Sequence, residues 1–147
     1  IVGRNEPLLA LARRDSAEMD RGGWSITIKR DVDVTLADLQ QERVILYGMA
    51  TDNRVVADLE RKFPMRFQGD SLVLAGGRVY DSTLALIQAV ESPFLAHGSL
   101  YWIAPFSAKA MPELLPFDAS WELVRGREEI SSGTWELTDA DDEMTIR

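Results

Sequence analysis

Apolar and polar positions along this chain fall into short blocks whose period switches between helical and extended. Between Glu6 and Arg21, Leu8, Leu9, Leu11, Ala12 and Met19 recur at helical spacing, and Gly22-Gly23 end the run. Arg13, Arg14, Asp15 and Glu18 make the remainder of this helix polar. It is therefore expected to pack loosely or outside the domain, with Leu8, Leu9 and Leu11 exposed as a docking stripe. Trp24-Ser25-Ile26-Thr27-Ile28-Lys29 alternates apolar and polar residues, which predicts a strand with one wet face. Thr35 followed by Asp38 reads as a capping box opening a short helix to about Gln41. Arg43 to Tyr47 is almost continuously apolar, as expected for a central strand covered on both faces. After it, Asp52-Asn53 caps a helix to about Phe63, with Val55, Val56, Leu59 and Phe63 on one face and Pro64 at its end.

From Met65 to Tyr80, short β-prone segments are separated by Gly69-Asp70 and Gly76-Gly77, which predicts a β-hairpin insertion. Leu84 to Val90 fits helix or strand equally well. Gly98 to Ala104 and Trp121 to Val124 read as strands, Ser107 to Leu115 as a short helix, and Thr138 to Arg147 as a mobile acidic tail. The expected fold is α/β: a three-layer sandwich with a mainly parallel central sheet, helices on both faces and the hairpin inserted. The expected division is an N-terminal linking helix over 1–23, an α/β domain over 24–137 and the tail over 138–147.

In wound α/β domains ligands sit at the carboxyl ends of strands. The strand-to-helix turn after Tyr47 is thus the candidate binding site, with Gly48, Thr51, Asp52 and Asn53 as its residues. A helix start offers N–H groups to an anion, yet Asp52 would repel a phosphate and the glycines of a nucleotide cradle are missing. Capping by Asp52 or Asn53 accounts for the same residues. His97, the one histidine, precedes Ser99, but there is no G-x-S-x-G elbow to present a nucleophile. Asp31, Asp33 and Asp38 lack the glycine of a calcium loop, since Leu36 stands at its sixth position. Trp24 and Trp135 flank polar segments, where an exposed pair would mark a partner surface, but half-buried packing is the better reading of both. No catalytic residue, metal ligand set or cofactor is assigned.

Twenty-four acidic against sixteen basic residues give a net charge of −8. That disfavours a nucleic-acid backbone or an anionic membrane as partner. No apolar run reaches the roughly 18 residues of a membrane span, so no membrane insertion is expected. Cysteine is absent, which removes disulfides and thiolate chemistry. The chain opens on Ile1-Val2-Gly3, as a mature form or a piece of something larger would.

Taken in order, several segments resemble one family. They are Asp31-Val32-Asp33-Val34-Thr35, Val44-Ile45-Leu46-Tyr47-Gly48, Asn53, and Arg61-Lys62-Phe63-Pro64-Met65-Arg66-Phe67 with Gly69-Asp70-Ser71. Leu86-Ile87-Gln88-Ala89-Val90 with Ser92-Pro93, Leu100-Tyr101-Trp102-Ile103-Ala104, Phe117 to Val124 and Gly133-Thr134-Trp135 continue the series. Together they resemble the small α/β accessory domain that follows the catalytic domain in bacterial prolyl-oligopeptidase- and carboxylesterase-like α/β-hydrolases. The sequence departs from that pattern at Glu91-Ser92-Pro93-Phe94 and at Pro105-Phe106. The resemblance implies a non-catalytic accessory domain, secreted or in the cell envelope, whose partner is a hydrolase domain or a second copy of itself. The alternative is a small ligand-binding protein or enzyme working at the 48–53 loop.

Overall fold

The computed structural model describes residues 1–74, 77–113, 119–137 and 144–146, the backbone alone for 135–137 and 144–146. Helix α1 (Glu6–Arg21) is followed by α2 (Leu36–Leu39), β1 (Arg43–Tyr47) and α3 (Arg54–Leu59). Next come β2 (Arg66–Gln68), β3 (Ser71–Leu74), β4 (Gly77–Val79), β5 (Ala85–Glu91), β6 (Ser99–Pro105), β7 (Trp121–Arg125) and β8 (Glu128–Gly133). Strands β9 (Trp135–Leu137) and β10 (Met144–Ile146) pair as an antiparallel ribbon. Gly76, Leu115, Phe117-Asp118, the Trp135 side chain and residues 138–143 and 147 of the expected tail lie outside what is described.

The main sheet has the order β1-β6-β5-β7-β8. Only β1 and β6 run parallel; β6–β5, β5–β7 and β7–β8 are antiparallel. The expectation of a mainly parallel sheet with helices on both faces is therefore wrong, and the molecule is mostly β. The reason lies in the connections. Residues 92–98 join β5 to β6, too short a link for the crossover of a dozen or more residues that parallel neighbours require.

Alternation along each strand sorts its residues to two cores. Val44, Leu46, Leu86, Leu100, Trp102 and Leu123 pack with Val55, Val56 and Leu59 of α3 and with Phe63, Met65 and Leu72. The antiparallel sheet β2-β3-β4 shares this side, so a three-stranded layer and one short helix stand where helices alone were expected. Tyr47, Ala85, Ile87, Ile103 and Val124 pack on the other side with Leu8, Leu9, Leu11 and Ala12 of α1.

The expected docking stripe is thus core: Leu8, Leu9 and Leu11 are all buried. Burying each such side chain contributes about 1.5–3 kcal/mol, which outweighs the polarity of the opposite helix face. Asp15 is also buried; its carboxylate accepts from the Tyr47 hydroxyl (2.9 Å) and from Arg14 (2.8 Å). Burial and that neighbouring carboxylate push the Tyr47 hydroxyl well above the usual phenol range.

Gln88 stands in the middle of β5 with no exposed surface. Its Oε1 accepts from the Met65 N–H (3.1 Å) and its Nε2 donates to the Met65 carbonyl (2.9 Å). The carboxamide acts as a rung of β-ladder, fastening the entry to the small sheet onto the large one. Gln88→Leu would strand both Met65 backbone groups in the core, and we expect a stability loss of roughly 2–6 kcal/mol at one to three per orphaned group. Urea denaturation of the variant against the wild type measures it.

Candidate functional site

The 48–53 turn lies at the carboxyl ends of β1 and β6, where a crevice of about 450 Å³ opens. Gly48 sits at φ 108°, and a side chain there would also crowd Leu8. Both its backbone groups are engaged: its N–H donates to the Ile103 carbonyl (2.9 Å), and its carbonyl accepts from the Trp102 indole (2.7 Å). Asn53 is buried, and its side chain is fully committed. Its Oδ1 accepts from the Val55 and Val56 N–H groups (3.0 and 3.2 Å), capping α3. Its Nδ2 donates to the carbonyls of Tyr47 (3.0 Å) and Ile1 (3.3 Å). Asp31 completes the helix start, accepting the Arg54 N–H at 2.8 Å.

The four candidate residues thus come together with different roles. Gly48 and Asn53 build the turn, whereas Thr51 and Asp52 face the crevice. The rest of its lining comes from afar: Asn5 before α1, Phe67 and Asp70 from the small sheet, Phe106 and Ser107 after β6. Nothing in the sequence tied these to the turn. The charged lining residues are Asp52, Glu60 and Asp70, with no basic side chain among them, so the crevice suits no phosphate. His97 is exposed at φ 62°, just before the start of β6, at the opposite end of that strand from the crevice. Among the described residues no group of three or more His, Cys, Asp or Glu could hold a metal ion.

A second concavity, of about 580 Å³, lies along the outer edge of β1. One wall is residues 24–29, the other Arg43 to Ile45, and Ala12, Ser16 and Met19 of α1 also line it. The expected strand over 24–29 has not formed; only its continuation, Arg30, makes a β-bridge, to Val2. The Arg43 guanidinium lies 4.5 Å from the Trp24 ring centroid and 5.8 Å from that of Tyr101. Lys29 ties the outer wall to α2, its Nζ 2.9–3.0 Å from the two Asp38 carboxylate oxygens. The same carboxylate accepts from the Thr35 N–H (2.8 Å) and hydroxyl (2.9 Å).

The chain matches no protein-family model, no curated protein and no solved structure. No helix among the described residues is long and apolar enough to cross a membrane.

Asn53→Asp separates the two jobs of this side chain. A carboxylate still caps α3 but cannot donate, and it faces the Tyr47 and Ile1 carbonyls. We expect a loss of about 2 kcal/mol or more, read by thermal or urea unfolding, although aspartate is as good a helix cap as asparagine. The Asp38 carboxyl is lowered to about 2, chiefly by the Thr35 backbone hydrogen bond and then by Lys29. An unfolded aspartate titrates near ~3.9, so this link is fully present above that pH and is lost as pH falls through about 2. The Thr35 amide shift, followed by NMR, should titrate with that low midpoint.

Proposed function

We propose that this chain is a non-catalytic interaction domain that associates with a larger hydrolase of the peptidase or esterase class. The observation that carries the interaction reading is the surface of residues 24–36. Trp24 (51%), Ile26 (36%), Val32 (54%) and Leu36 (60%) are four of the seven large apolar side chains exposed among the described residues. They follow one another along one stretch of chain, the first two lining the concavity at the edge of β1, where scattered single residues would need no explanation. The ordered motif series from Asp31 to Trp135 supports the hydrolase association. A second reading is favoured by one observation, the crevice at the β1 and β6 carboxyl ends. Its acidic rim points to a neutral or cationic small ligand rather than a phosphate.

Two measurements test the first reading. Purified chain should hydrolyse a p-nitrophenyl ester and a prolyl anilide no faster than buffer; turnover abolished by His97→Ala or Ser99→Ala would overturn it. Trp24→Ser combined with Ile26→Ser should lower fluorescence of an apolar dye such as anilinonaphthalene sulfonate several-fold while the melting temperature stays within about 4 °C. Unchanged dye binding would remove the surface on which the reading stands.

A further inference from the structure

We propose that the crevice at the carboxyl ends of β1 and β6 binds a small organic ammonium ion carrying a flat apolar body. This names a ligand class for the second reading and rests on it; it is independent of any association with a hydrolase.

Burial sorts the carboxylates of this chain. A carboxylate taken partly out of water needs a donor or a cation to replace its lost hydration. Asp15, Asp31, Asp38 and Asp81 are buried or half-buried, and each accepts hydrogen bonds from the protein. Half-buried Glu122 is engaged as well. Asp52 and Glu60 are also half-buried, yet among the described residues neither carboxylate takes part in a hydrogen bond or an ion pair. Both of these unmatched groups line the crevice. Asp70, a third lining residue, accepts a long bond from the Ser71 hydroxyl (3.4 Å). Arg4, Arg61 and Lys109 stand close by in sequence, but none of them lines it. The charge the crevice lacks is positive, and a ligand must bring it.

The other walls are apolar. Leu8 and Phe106 are buried and Met49, Phe67 and Met111 half-buried around the same opening. The Phe67 and Phe106 rings meet edge to face with centroids 5.1 Å apart, and Phe67 packs in the same way on Trp102 at 5.8 Å. Trp102 is fully buried, and its indole is held by the Gly48 carbonyl. This wall is therefore fixed before a ligand arrives, which lowers the cost of binding. Aromatic rings attract a cation placed against them, and thioethers pack well on ring edges. Two rings and two methionines suit a flat apolar body better than a thin flexible chain. The volume, about 450 Å³, is that of a small-molecule site. A bare metal ion is the poorer occupant, since hard cations want oxygens on most sides and among the described residues no three His, Cys, Asp or Glu side chains could hold one.

The test titrates the isotope-labelled chain with phenethylammonium at neutral pH and follows the amide shifts of Gly48, Thr51 and Ser107. Phenethyl alcohol carries the same ring without the charge, and phenylacetate carries the opposite charge. We expect the ammonium to bind about tenfold more tightly than the alcohol, or better, and phenylacetate to leave these amides unmoved. Butylammonium, which has the charge on the chain of a lysine side group, should bind several-fold more weakly than phenethylammonium. Asp52→Asn combined with Glu60→Gln should reduce the affinity for phenethylammonium to that for the alcohol. Neither carboxylate has a protein partner to lose, so the melting temperature of this variant should stay within about 4 °C of the wild type.

Equal binding of the ammonium and the alcohol, or binding unaffected by the double variant, overturns the proposal while leaving the crevice a site for neutral molecules. Butylammonium binding as tightly as phenethylammonium also overturns it, and makes the occupant an alkylamine or a lysine side chain. Crevice amides unmoved by every probe at millimolar concentration would remove the second reading together with the proposal.

Discussion

One side-chain amide holds the middle of this molecule together. Asn53 joins three pieces of chain through one side chain: the end of β1, the first residue of the chain and the start of α3. Its acceptor and both donors are used, and the group is buried, so no water can replace a lost bond without rearrangement. The turn it fixes sets the positions of Gly48 and Trp102, whose indole hydrogen bond closes the carboxyl end of the parallel pair. The crevice at 48–53 is shaped by these constraints. What faces outward from it, Thr51 and Asp52, is what remains once the fold has taken its share.

The parallel architecture inferred from the sequence fails for an identifiable reason. Strands buried on both faces read as unbroken apolar runs, and that pattern is associated with parallel sheets. Here β5, β6 and β7 are antiparallel but lie between α1 on one side and α3 with β2–β4 on the other. Sandwiching, not strand direction, produces the pattern in Leu86-Ile87 and in Trp102-Ile103-Ala104. The connection lengths held part of the information: the links 92–98 between β5 and β6 and 126–127 between β7 and β8 are too short to return parallel. The polarity of α1 misled in a similar way. A stripe of Leu8, Leu9, Leu11 and Ala12 is narrow, yet it suffices because the sheet supplies the opposing surface.

Local signals fared better than global ones. Asn53 as a cap, Thr35 with Asp38 as a paired cap and the Gly48 turn were legible because each depends on residues close in sequence. The lining contributed by Asn5, Phe67, Asp70 and Ser107 was not, because only the folded chain brings these segments together. The segment 24–29 sits between these cases. Its alternation was readable, but a strand is a property of pairs, and its sequence carries no information about whether a neighbour is present.

The two borders of the main sheet are unlike. At the far border, β8 exposes Glu128, Glu129, Ser131 and Ser132 around one apolar side chain, Ile130, and the ladder to β7 is broken by a bulge at Leu123/Val124. Carboxylates and a bulge make that rim a poor template for another chain. A further strand on this sheet is therefore favoured beside β1, whose Arg43–Tyr47 run carries no carboxylate and no bulge, over β8.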